Sequence, residues 1–276
     1  MVEVLFGILL LFGLIFGSIF DLKNREIPDY LSYSMILGSL GISLIYSMLT
    51  EWKFLLFAVL GGIIVFCLGY IFYYFKQIGG GDVKIFTAMG IALGNFYIGR
   101  VNLLIIFFII VLIIGGLYSI VWGIVLFFRY KKHSWMELKK ILIENKSLRI
   151  IILISSIVVL VIGIFFEWEI RLIIFLLIVL INILFYLKMF VQVVERLHFV
   201  KKIKVSELTE GDWLAKDVIH NNKILISKKE IEIEKKHIEL LKKNYIYEVW
   251  IKIGIPFVPA ILISFIILVI TYGILG

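Results

Sequence analysis

The chain has 276 residues, of which 62% are hydrophobic, and carries a formal net charge of +8. Its mean hydropathy of +1.08 lies well above that of a soluble domain, in which about half the residues are apolar. Composition therefore points to lipid as the solvent, and it excludes an ordinary water-soluble enzyme.

Run length gives the elements in chain order. Residues 4–20, 31–49, 54–75, 101–128, 150–166, 170–190 and 253–275 are nearly free of charge. Each is long enough, at about 1.5 Å rise per residue, to span a hydrocarbon core of about 30 Å. A weaker run, 83–98, is interrupted by Lys84 near its start. The expected fold class is thus an all-α polytopic membrane protein of about eight transmembrane helices. The first run has Glu3 where a secretory signal would be cationic, and no small-residue cleavage site precedes Asp21, so it reads as a retained helix. Cys67 is the single cysteine. It allows no internal disulfide or cysteine-based metal cluster, and it reads as a small hydrophobe in a packed helix.

The positive charge is unevenly distributed. Lys23, Arg25, Lys76, Lys84, the cluster Arg129, Lys131, Lys132, Lys139, Lys140, Lys146 and Arg149, and the segment after Lys188 all fall on one side of the alternating spans. The opposite side receives Lys53, Arg100 and Arg171, with the acidic turn at Glu167 and Glu169. This is the positive-inside pattern, with the cationic side in the cytosol and the N-terminus outside. The charge is spent on topology, and no nucleic-acid partner is expected.

Two polar pieces interrupt the membrane runs. In 129–149, Trp135, Leu138, Ile141 and Leu142 recur at helical spacing, as in a surface helix; a plain connector that sets topology fits the same stretch. The larger piece, 191–252, reads as a small α+β cytosolic subdomain inserted before the last helix. It opens helix-like over 193–204, with strands at 204–208, 213–219, 223–227 and 247–251. Turns fall at 210–212 and at Asn221-Asn222, and a short amphipathic helix over 234–243. Pro256 suits the first turn of the final span. The domain boundaries expected are 1–128 for a membrane core, 129–149 for a basic connector, 150–190 for two further helices, 191–252 for the subdomain and 253–276 for the last helix.

Two aspartates carry the chemistry. Asp21 ends a helix running inward, and Asp82, after Gly79-Gly80-Gly81, begins one running outward, so both lie at one cytosolic depth. Either alone is an unremarkable boundary charge. Together, two carboxylates at one depth can share a proton, one acting as general base on water and the other as general acid. Neither a Gly-x-Ser-x-Gly nor a His-Glu-x-x-His pattern competes. His133, His198, His220 and His237 fall in polar stretches without ligand spacing and read as solvated surface groups.

The stretch Gly17 to Leu31 (GSIFDLKNREIPDYL) resembles the first signature of the type IV prepilin peptidases, and Gly79 to Gly94 (GGGDVKIFTAMGIALG) resembles their Gly-x-Gly-Asp block. That resemblance implies an intramembrane aspartic protease whose catalytic pair is Asp21 and Asp82, with no metal and no cofactor. The archaeal prepilin and preflagellin branch fits better. The paired Cys-x-x-Cys insert of the bacterial enzymes is missing, so their N-methyltransferase activity is not expected. The stretch 249–260 also resembles the ending of the archaeal enzymes. The implied substrate is a pilin-like or archaellin precursor with a basic leader, a glycine before the cut and a long apolar helix, met at the cytosolic face of the cell membrane. Gly79, Gly80 and Gly81 would let an extended substrate approach Asp82. Glu26 and Asp29 would bind the basic leader, or simply cap and solvate their loop. Lys84 would tune Asp82 electrostatically, or snorkel to headgroups. Asp212, after Gly211, reads as a turn aspartate, and the subdomain as a substrate-docking or packing unit. Two other classes fit the residues alone. One is a cation-coupled transporter using the same acids. The other is a membrane-anchored sensor or scaffold working through its subdomain.

Overall fold

The computed structural model describes residues 2–220, 223–230 and 232–275. The turn expected at Asn221-Asn222 lies outside the described residues. The protein is mostly helical and multi-pass. Six described helices are long and apolar enough to cross a membrane: α1 (Val2–Asn24), α2 (Asp29–Leu49), α3 (Trp52–Tyr74), α5 (Leu103–Arg129), α7 (Lys146–Gly163) and α8 (Trp168–Val194), the last prolonged by a π-helical turn, Glu195–Phe199. Of the about eight spans expected, six reach that length among the described residues. Helix α4 (Gly80–Leu93) has 14 residues, a rise of about 21 Å. It stops short because Gly94-Asn95 leads into a two-residue hairpin, β1 (Tyr97–Ile98) and β2 (Val101–Asn102), turned at Gly99 with φ 58°. Helix α10 (Val258–Leu275), with 18 residues, is as short as α7.

The chain divides into two compact units, one running through Ile120 and resuming at Lys202, the other Val121–Lys201. In the first, α4 is the central helix. Val83, Ile85, Phe86, Ala88, Met89, Gly90, Ile91, Ala92 and Leu93 are all buried. A 14-residue helix this buried carries little lipid-facing surface, which is why its hydropathy signal was the weakest. Helix α3 lies close against it: a Cβ added at Gly61 would sit 2.5 Å from the Gly90 carbonyl oxygen. Two helix backbones approach this closely only where neither side chain intervenes. The common core joins Phe6, Leu10 and Leu14 of α1, Met35 of α2, Phe107 of α5, and Ile261 and Leu268 of α10. Cys67 is exposed on α3 beside exposed Phe66 and Leu68, which corrects the expectation that it packs inside.

The polar segment before α10 folds as expected in kind and shifted in register. Its helical lead-in ends at Phe199, followed by β3 (Val200–Lys204) and a 3₁₀ turn at Val205–Glu207, where a strand was expected. The region 213–219 is two short strands, β4 (Trp213–Leu214) and β5 (Val218–His220). Strand β6 (Lys223–Ile226), helix α9 (Lys235–Lys243) and β7 (Glu248–Lys252) follow. One sheet has the order β3-β7-β4, with Leu214 opposite Ile251, and a separate hairpin pairs β5 with β6. Val205, Leu208, Leu214, Ile226, Ile233, Leu241, Val249 and Ile251 form its core. Eight buried apolar side chains give this segment a core of its own.

The second unit contains α6 (Lys131–Glu144), α7 and α8. Ile141 of α6 is fully buried with Phe127, Met189 and Val193, and Leu138 and Leu142 pack on the same cluster. The apolar face read from 129–149 is therefore an internal packing face. His198 stacks on Tyr130 with ring centroids 4.8 Å apart and is half-buried, which corrects its reading as a solvated group.

Candidate active site

Asp21 sits in the last turn of α1 and is 6% exposed. Four elements converge one turn before it. A Cβ added at Gly17 would lie 3.3 Å from Val258 Cγ1, 3.6 Å from Ile85 Cδ1 and 3.7 Å from Leu31 Cδ2. These neighbours belong to α10, α4 and α2. An aspartate would not stay buried there without donors. The Val258 N–H supplies one, donating to Asp21 Oδ2 at 2.8 Å.

Asp82 is the third residue of α4 and half-buried. Its Oδ2 accepts the Gly79 N–H at 3.1 Å, so the side chain folds back to close the helix start. The two carboxylates are near enough to feel one another's charge. Helices α1 and α4 thus bring two acids, 61 positions apart, to one end of the bundle.

The three glycines before Asp82 differ in their surroundings. A Cβ at Gly81 would lie 2.9 Å from Ile27 Cδ1 and 3.0 Å from Ile27 Cβ, so the α1–α2 loop presses directly on the Gly81 backbone. A Cβ at Gly80 would lie 3.7 Å from the Tyr73 ring, an ordinary contact, and Gly79 borders the Asp82 carboxylate itself. Lys84 forms an ion pair with Asp29 at the start of α2 and lies 4.8 Å from the centre of the Tyr33 ring. Its charge is directed at Asp29, while the groups facing Asp82 are Asp21 and the Gly79 amide. Glu26 is exposed and meets the Thr209 hydroxyl at 3.4 Å. Asp212 accepts the Thr209 N–H at 2.8 Å, the turn-closing contact that its sequence context predicts.

Several contributors were not singled out from sequence. Arg25 has left-handed backbone, φ 59°, and its Nη1 donates to the Gly254 carbonyl at 2.8 Å. Tyr118 of α5 stands close enough to sense the charges of Asp21 and Arg25. Tyr73, at the end of α3, donates its hydroxyl to Glu232 and packs 6.4 Å from the Trp213 ring. Lys76, also left-handed at φ 56°, donates to the carbonyls of Lys228, at 2.8 Å, and Glu230. The β-rich segment therefore holds the end of α3 before Asp82 and, through Thr209, touches the loop after Asp21. The signal for Arg25 and Lys76 was present in part, since each lies just past the end of a helix, where left-handed backbone often terminates it. Nothing in one sequence pairs position 73 with 232.

Residues 8–120, which hold both aspartates, match the type IV leader peptidase family. Two relatives are preflagellin peptidases. That of Methanocaldococcus jannaschii is 35% identical over 79 residues, covering 28% of this chain and 33% of the relative. That of Methanococcus maripaludis is 35% identical over 99 residues, covering 35% of this chain and 40% of the relative. The chain thus spans well under half the length of the curated relatives it matches. The matched part supports the family read from the two signature blocks.

Proposed function

We propose that the protein is an intramembrane aspartic endopeptidase that removes the short basic leader from type IV pilin-like or archaellin precursors at the cytosolic boundary of the membrane. The observation that carries this reading is the pairing of Asp21 with Asp82, from separate helices, at one end of a bundle of apolar helices. Peptide hydrolysis needs a base to take a proton from water and an acid to protonate the carbonyl oxygen, and two coupled carboxylates supply both. The family match over 8–120 and the two preflagellin peptidase relatives support the same chemistry. In this reading Gly79 and Gly80 leave room for an extended substrate backbone, Gly81 lets the Ile27 loop pack close to Asp82, and Glu26 at the rim attracts the cationic leader. Asp29 contributes there less directly, through its pair with Lys84. The N-terminus lies outside, and N-methylation is not part of the activity.

The test is direct. Membranes containing the protein are incubated with a basic-leader pilin or archaellin precursor and the product is weighed. The expected mass is that of the precursor less its leader, without an added methyl group. Asp21→Asn and Asp82→Asn should each lower the rate by at least about a hundredfold while inserting normally. Full activity in either correctly inserted variant rules the proposal out.

A further inference from the structure

The last helix enters beside Asp21 through the sequence Pro256-Phe257-Val258-Pro259. Prolines carry no N–H, so Phe257 and Val258 hold the two amide donors of this stretch. The first N–H groups of a helix have no partner within it. Val258 is the first residue of α10, and the Phe257 carbonyl already accepts from Ala260 and Ile261. The Val258 N–H goes to Asp21 at 2.8 Å, and the neighbouring Phe257 amide favours the same charge. Asp82, by contrast, accepts one main-chain N–H, from Gly79 three residues earlier, through Oδ2.

A carboxylate is a better acceptor than a carboxylic acid, so the member held by the shorter and more buried main-chain bond, with a guanidinium nearby, keeps the negative charge. Two adjacent carboxylates do not both stay ionised, and the shared proton settles on the other member. We infer that the amides at the start of α10 hold Asp21 as the ionised partner and general base, leaving Asp82 as the protonated partner and general acid. This assignment rests on the proposed peptidase activity and deepens it. The titratable groups facing Asp21 are Asp82 of α4, Tyr118 of α5 and Arg25 at the end of its own helix. Arg25 favours the same charge on Asp21.

The steps balance. Asp21 takes a proton from water as its oxygen bonds to the scissile carbonyl carbon, and Asp82 gives its proton to the carbonyl oxygen, forming a gem-diol. As the C–N bond breaks, the leaving nitrogen takes the proton from Asp21. Asp82 recovers one from a diol hydroxyl. Each aspartate ends as it began. Phe257 and Val258 touch neither substrate nor water in this scheme; they are positioning residues, acting through Asp21.

The experiment compares the pH dependence of kcat/KM for the unaltered chain, Val258→Ala and Val258→Pro on one leader-bearing precursor. Alanine loses the packing on Gly17 and keeps the N–H, so the rate falls modestly and the profile keeps its position. Proline is accommodated in the first turn of a helix and deletes the N–H. The acid limb should then move to higher pH by roughly one unit, because the charged form of the base has lost a donor. Replacing Val258 by its α-hydroxy acid makes the same deletion with the side chain intact, and it decides the matter should the proline variant fail to insert. An acid limb that coincides with that of Val258→Ala, or moves to lower pH, overturns the assignment. Absence of cleavage by the unaltered chain at every pH would instead overturn the peptidase reading itself.

Discussion

The guanidinium of Arg25, one turn past Asp21, donates to the carbonyl of Gly254 at 2.8 Å, across 229 positions of sequence. The bond ties the end of α1 to the segment that enters α10, and Arg25 makes it from a left-handed backbone, φ 59°. That conformation costs a non-glycine residue about 1 kcal/mol, which glycine does not lose. Arg25→Ala therefore forfeits the contact and keeps the strain, whereas Arg25→Gly forfeits the contact and relieves it. Thermal unfolding in detergent should rank the variants as unaltered chain first, then Arg25→Gly, then Arg25→Ala, with about 1 kcal/mol between the last two. The reverse order of the two variants would mean that the backbone at position 25 is not left-handed in the folded protein.

Gly81 has no room for a side chain, because Ile27 stands 2.9 Å from where its Cβ would be. Gly81→Ala should displace the loop before Asp82 and reduce cleavage by about tenfold, the cost of a modest misplacement of a reacting group. Ile27→Ala removes Cδ1 and Cγ1 but leaves Cβ at 3.0 Å, so the double variant should recover part of that loss. Coupling between the two substitutions of at least about 0.5 kcal/mol in activation free energy is expected, as for residues in contact. Strict additivity would show that the glycine serves backbone conformation or substrate approach and not this packing.

Membrane class, the aspartate pair and the presence of a folded polar segment were legible in the sequence, because run length, charge alternation and spacing are local properties. The span count was less so. Helix α4 is buried by its neighbours rather than by lipid, and a helix enclosed in protein is free to be short. Strand positions in the 200–252 segment were misplaced by a few residues, since two- and five-residue strands carry almost no periodicity. The Asp21 clamp was invisible for a different reason. It is made by the main-chain amide of Val258, the first residue of α10, and which backbone donors remain unpaired is decided by where a helix begins.

Tyr73 and Lys76 fasten the β-rich segment to the end of α3, Tyr73 through Glu232 and Lys76 through two carbonyls. A hydrogen bond to a charged group contributes about 1.5 kcal/mol or more when part-buried. Tyr73→Phe and Lys76→Met should each raise amide exchange of residues 202–252 by roughly tenfold, with exchange in α1 and α4 unchanged. Glu232→Ala, which removes the acceptor, should reproduce the tyrosine effect and add little to Tyr73→Phe, since both remove one bond. Exchange that rises equally throughout α1 and α4 would assign these contacts to overall stability rather than to docking of the segment.

Topology follows from the charge count and can be read with reporters. If the lysine- and arginine-rich loops are retained in the cytosol, fusions after Ile27, Gln77, Ser134 and Lys223 all report from the cytosol. A fusion after Glu167 reports from outside, because α7 runs from the cationic side at Lys146 to the acidic turn before Trp168. The fusion after Gln77 is the most informative of the five. It follows α3 and precedes Asp82, so it reports the side on which the proposed catalytic pair opens. The short helix α4 sharpens the point. Only if the hairpin at 97–102 faces the outside does α5 return the chain to the cytosol at Arg129. A fusion after Gly99 should therefore read outside even though α4 is only about 21 Å long. A cytosolic signal there, with the other four cytosolic signals retained, would mean that α4 turns back within the membrane. Asp82 would then lie on a re-entrant helix, and α5 would have to be interrupted within its 27 residues to keep Ser134 in the cytosol.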